Sequence, residues 1–107
     1  MSTQTDYRAL FTVRDIRQAN TETGSNWFSP ETMRWWKTRV LSRVITDGAR
    51  ELSYFVTSEP RNGYAERVYT LRCIYWQNPR DIETVGGMGE YTDPRRAFRD
   101  AIKLASQ

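Results

Sequence analysis

Three turn signals break the middle of the chain at short intervals: Asp47-Gly48, the stretch Pro60 to Gly63 with Asn62-Gly63 at its sharpest, and Gln77 to Arg80. Strands joined by connections this short must pair antiparallel, because a parallel pair needs a crossover of about a dozen residues or more. The runs between the turns read as strands. Glu51 to Ser58 has Tyr54, Phe55 and Val56 in succession, so both of its faces are covered in part. Arg67 to Trp76 alternates best, with Tyr69, Leu71, Cys73 and Tyr75 on one face and Val68, Thr70, Arg72, Ile74 and Trp76 on the other. Asp81 to Val85 is a short last strand. Before the first turn the pattern is ambiguous. Val40, Leu41, Val44 and Ile45 could continue a helix, but the β-branched residues favour a strand over Arg39 to Thr46.

Helix signals flank this meander. Thr12 and Asp15 stand three apart as a capping box, Leu10, Val13 and Ile16 follow at helical spacing, and a helix runs to about Thr21 before Gly24 ends it. Ser29-Pro30 opens a second helix, with serine as N-cap and proline where an amide would have no partner. Phe28 and Met33 have the spacing of a hydrophobic staple, Glu31 suits the first turn, and Lys37 and Arg39 suit the end. Met33, Trp36 and Val40 share one face there, while Trp35 points elsewhere. Gly86-Gly87-Met88-Gly89 then breaks the sheet, and Asp93-Pro94 caps a final helix to about Ala105 with the stripe Ala97, Phe98, Ala101, Ile102 and Ala105. The pattern predicts one α+β domain over residues 1–107, with 1–7 frayed. It has two N-terminal helices, a three- to four-stranded antiparallel meander, and a C-terminal amphipathic helix packed on the sheet, the helices covering one face.

Composition narrows the chemistry more than the fold. Histidine is absent and Cys73 is the one cysteine, so a thiol–imidazole pair and a zinc site have no residues to use, and a disulfide framework is excluded. A lone cysteine suits a reducing cytosol. Cys73 falls on the apolar face of the clearest strand and reads as a core residue. The acids are scattered singly, which reads as surface charge. The glycine run at 86–89 resembles a phosphate cradle before a capped helix, but it lacks the Lys-Ser/Thr of a P-loop and the spacing of a dinucleotide site. No apolar run approaches the roughly 20 residues that span a bilayer, and the N-terminus has no apolar signal region. The expectation is a non-enzymatic cytoplasmic protein without cofactor or metal and without membrane contact.

Binding residues are easier to nominate. The net charge is +3, and Lys37 and Lys103 are the only lysines, so arginine supplies 14 of the 16 basic residues. Arginine favours bidentate contacts to phosphate or carboxylate and stacks on rings. Arg34, Trp35, Lys37, Arg39 and Arg43 interleave cations and rings with no acid from 34 to 44, which is how proteins hold single strands or form interface hot spots. The alternative is that Trp35 and Trp36 are both core and the cations cover the far side. Arg95, Arg96 and Arg99 on the last helix form a secondary basic face, interrupted by Asp93 and Asp100. Trp76 with Ile74, on a free face of the sheet, offers a homodimer surface.

Four stretches together carry a resemblance: Asn26 to Trp36, Tyr54 to Glu59, Arg67 to Arg72, and Ile82 to Gly86. They resemble a family of small uncharacterised proteins of bacteriophages, plasmids and other mobile elements, over about Val13 to Ala105. The resemblance implies no catalytic residues. It implies a small accessory protein inside a bacterial host cell, of a kind that binds and blocks a host protein or ribonucleoprotein complex, anti-CRISPR and other anti-defence inhibitors among them. A net positive chain is a poor mimic of DNA. The other expectation is a nucleic-acid-binding protein working through residues 34–43.

Overall fold

The computed structural model describes residues 9–25, 27, 41–60 and 67–107. Its elements are α1 (Val13–Glu22), β1 (Ile45–Asp47), β2 (Leu52–Pro60), β3 (Arg67–Tyr75), β4 (Asn78–Thr84) and α2 (Pro94–Ala105). The four strands form one antiparallel sheet in chain order, as the turns require. The second helix expected from Ser29, the central turn at Asn62-Gly63 and residues 1–7 lie outside the described residues.

Both terminal helices begin where their caps place them. The Thr12 hydroxyl accepts from the Asp15 amide at 3.1 Å, and the Asp15 carboxylate accepts from the Thr12 amide at 3.2 Å, so two orphan donors are satisfied reciprocally. Gly24, at φ 88°, takes the left-handed position just past the end of α1, which a side chain would strain. Asp93 caps α2 by accepting from the Arg95 amide at 3.0 Å, with Pro94 in the first turn.

The strands differ from expectation at their edges. β1 begins only at Ile45, because 41–42 turn and 43–44 do not pair, while 39–40 of the expected strand lie outside the described residues. Its hairpin loop is 48–51. The buried Asp47 carboxylate accepts from the Arg50 amide at 3.1 Å and from Arg50 Nη1 at 2.6 Å, and Glu51 adopts φ 57°. The last hairpin turns at Trp76-Gln77, earlier than expected, and Asn78 already faces Tyr75. Register then slips across Pro79 to Asp81, where proline cannot donate, and regular pairing resumes at Ile82.

The helices do not share one face of the sheet, as the pattern predicted; they cover opposite faces. Asp47, Tyr54, Val56, Leu71 and Cys73 point to the side of α2, as the registers require. There Arg50 Nη1 also donates to the Leu104 carbonyl at 2.8 Å, and Leu71 and Val85 line one groove with Leu104. Ser53, Phe55, Arg72, Ile74 and Ile82 point the other way. On that side the Ser53 hydroxyl donates to the Leu10 carbonyl, and Trp27 meets Phe55 edge-on with ring centroids 6.2 Å apart. α1 is tied to β4 by Asn20, whose Nδ2 donates to the Pro79 carbonyl at 3.0 Å. Coverage from both sides explains why every residue from Leu52 to Ser58 is buried.

This arrangement removes the proposed dimer surface. Ile74 is fully buried and Trp76 is 9% exposed. The Trp76 indole donates to the Ser53 hydroxyl at 2.8 Å, and its ring lies 6.5 Å from that of Phe11. The face read as free is covered by the segment leading into α1.

Candidate functional site

β4 does not end the sheet at Thr84. The Val85 amide still donates to the Leu71 carbonyl at 2.8 Å, and Tyr91 exchanges both backbone hydrogen bonds with Tyr69, at 2.8 and 3.1 Å. Residues 86–90 are therefore a loop thrown out of an otherwise continuous edge strand. Gly86 and Gly89 sit at φ 81° and 66°, and a Cβ on Gly89 would stand 3.0 Å from Val68 Cγ2, so the loop can lie against β3 only with glycine there. Two of its amides are already engaged. Gly87 donates to Glu90 Oε1 at 2.7 Å and Gly89 to the Thr70 hydroxyl at 2.8 Å, which leaves those two unavailable as a phosphate cradle.

The return of the chain at Tyr91 sets 90–92 beside α2 and opens a cleft of about 320 Å³ between them. Arg96, Arg99, Asp100 and Lys103 recur at three- and four-residue spacing, so they share the face of α2 that lines this cleft. Asp100 is engaged, accepting from the Tyr91 hydroxyl at 2.7 Å. Burial first, and then this carboxylate, push the Tyr91 phenol well above its usual range, so it is a neutral donor across physiological pH. Arg96, Arg99 and Lys103 have no ion-pair partner among the described residues. The secondary basic face is thus split: Arg96 and Arg99 line the cleft, together with Lys103, which sequence reasoning left out of the site, and exposed Arg95 does not.

An adjoining groove of about 250 Å³ shares Tyr91, Asp100 and Lys103 with the cleft and adds Val85 and Leu104, which lie over the fully buried Leu71. The two together present a charged half, where Arg96, Arg99 and Lys103 stand with Glu90 and Asp100, and a more apolar half. Nothing in the spacing of the sequence signalled the second half, because it needs α2 to bring Leu104 over Leu71 and Val85 on one face of the sheet.

Of the primary nominees, Arg34, Trp35, Lys37 and Arg39 lie outside the described residues. Arg43 is exposed, and its guanidinium carbon stands 5.6 Å from the centroid of the buried Phe98 ring, where it covers the core. On the other face of the sheet lies a polar cluster that the alternation alone did not reveal. Arg72 Nε donates to Thr57 at 3.1 Å, Nη1 to Thr84 at 2.6 Å and Nη2 to Glu59 at 3.2 Å. Thr57 and Thr70 each donate to Glu59 at 2.8 Å. The guanidinium is spent on the fold itself, so the cluster reads as a scaffold. Among the described residues no group of acids and Cys73 could hold a metal ion, and no helix is long and apolar enough to cross a membrane.

The chain belongs to a family of unknown function (DUF7447), whose model matches residues 12–102, from the α1 cap to the last turn of α2. No curated protein and no solved structure matches it.

Proposed function

We propose that this is a non-enzymatic accessory protein of a mobile element that binds and blocks a host machine in the bacterial cytoplasm, and that it grips that machine through nucleic acid. The observation that carries the reading is the basic face of α2: Arg96, Arg99 and Lys103, none in an ion pair among the described residues, line one open cleft in which they outnumber the carboxylates of Glu90 and Asp100. Arginine forks match phosphate oxygens. The absence of histidine from the whole sequence favours binding over acid–base chemistry. An anti-CRISPR or other anti-defence role fits such a grip, since a guide complex exposes phosphate backbone.

A pull-down of the tagged protein from the bacterial host, with and without nuclease, tests the reading. Capture of a ribonucleoprotein that is lost on nuclease treatment supports it. A stoichiometric protein partner that survives nuclease, and that the Arg96→Ala/Arg99→Ala variant still binds, overturns the nucleic-acid grip.

A further inference from the structure

We infer that the cleft and its adjoining groove together take one unstacked nucleotide of a single strand, its phosphate on Arg96, Arg99 and Lys103 and its base in the groove against Val85 and Leu104. The inference rests on the function proposed above and names the ligand of that same site. A phosphate grip by itself needs only cations on a helix, and would not need an apolar groove opening from it. Here the two depressions are contiguous, sharing Tyr91, Asp100 and Lys103. An anionic group and a flat apolar group joined by a short link fit that pairing, and a nucleotide is built that way.

Asp100 adds a polarity to the base half. Its Oδ2 holds the Tyr91 hydroxyl at 2.7 Å, and its Oδ1 has no hydrogen-bond partner among the described residues. A carboxylate oxygen at the junction accepts from an exocyclic amino group and repels a carbonyl, so cytosine fits better than thymine. A double helix cannot supply such a base without unpairing it, so single strands are the substrate.

Fluorescence polarisation with short oligo(dC), oligo(dT) and an abasic deoxyribose-phosphate chain of the same length tests this. Base stacking of the usual strength makes oligo(dC) bind at least about fivefold tighter than the abasic chain, with oligo(dT) between them. Val85→Glu, which puts a carboxylate into the groove, abolishes that preference while abasic binding persists; Leu104→Gln, a milder change, reduces it if the first variant folds poorly. Equal binding of oligo(dC) and the abasic chain overturns the inference and leaves the phosphate grip standing. A base preference that survives both substitutions also overturns it. Binding of none of the three overturns this inference and the proposed function together.

Discussion

The Arg72 guanidinium carbon lies 5.6 Å from the centroid of the Trp27 ring, so a cation in the middle of β3 is covered by an aromatic from the N-terminal part of the chain. Beneath that ring the same guanidinium donates to Thr57, Thr84 and Glu59. The contact joins three strands and the chain segment that precedes the sheet at one side chain.

Replacing Arg72 should therefore cost stability out of proportion to a sheet arginine. Arg72→Met leaves Glu59 without its cation and should destabilise by about 2 kcal/mol, below the range for fully buried pairs because Glu59 keeps some solvent and both threonines. Arg72→Lys rescues little, since an ammonium cannot serve three acceptors in a fork. Urea unfolding, read as a shift in midpoint at constant m-value, measures both.

The stripe on α2 is uneven in a way that mutation should expose. Phe98 is 1% exposed and Ile102 is 42% exposed. Phe98→Ala should cost about 3–5 kcal/mol through the cavity it leaves. Ile102→Ala should stay within about 0.5 kcal/mol, as for other surface changes. Thermal unfolding of the two variants side by side separates a core position from a surface one on the same helix.

Asp47 should make stability sensitive to acid. Burial opposes its charged form, but hydrogen bonds from the Arg50 side chain and amide outweigh that and hold its carboxyl below the usual aspartate range. A lowered folded pKa contributes stability that is complete above the unfolded value, about 4, and is lost as pH falls through the folded value. The stability gap between wild type and Asp47→Asn should accordingly be full at neutral pH and shrink below about pH 4. A gap unchanged down to strong acid would show that the ion pair adds nothing.

Cys73 should be unreactive in the folded protein. Burial, and then the nearby Glu83 charge, push its thiol up to about 11, so thiolate is scarce at mildly alkaline pH. A disulfide reagent should label it slowly in native protein and rapidly in denaturant. Equal rates would mean that the β3 face toward α2 opens readily.

The α2 cations should read out in salt dependence. One phosphate held by the three cations predicts that affinity falls about two- to threefold between about 50 and 200 mM salt. Arg96→Ala/Arg99→Ala should weaken binding and flatten that slope, with the unfolding midpoint unchanged. Titrations at stepped salt give both numbers.

Local signals were legible because they act over a few residues. The Thr12 capping box, Gly24, the Asp93-Pro94 cap and the antiparallel meander follow from hydrogen bonds and sterics that the sequence spells out within a turn or two. The burial of Cys73 followed from alternation. The ends of β1 and the last hairpin did not, because pairing partners and the slip at Pro79 to Asp81 decide where a strand stops, and both are set by β2 and β3.

By itself, then, the sequence determined the strand order, the position and caps of α1 and α2, and a chemistry without histidine or a disulfide. Only the tertiary structure decided that the helices cover opposite faces, because alternation says which residues share a face and not what lies over it. That arrangement buries Trp76 and Ile74 and turns Arg72 inward to threonines and Glu59. It also brings Leu71 and Val85 of the sheet under Leu104 of α2, beside Arg96, Arg99 and Lys103. A site whose parts lie more than thirty residues apart has no spacing to read, and exists only once the chain has closed on itself.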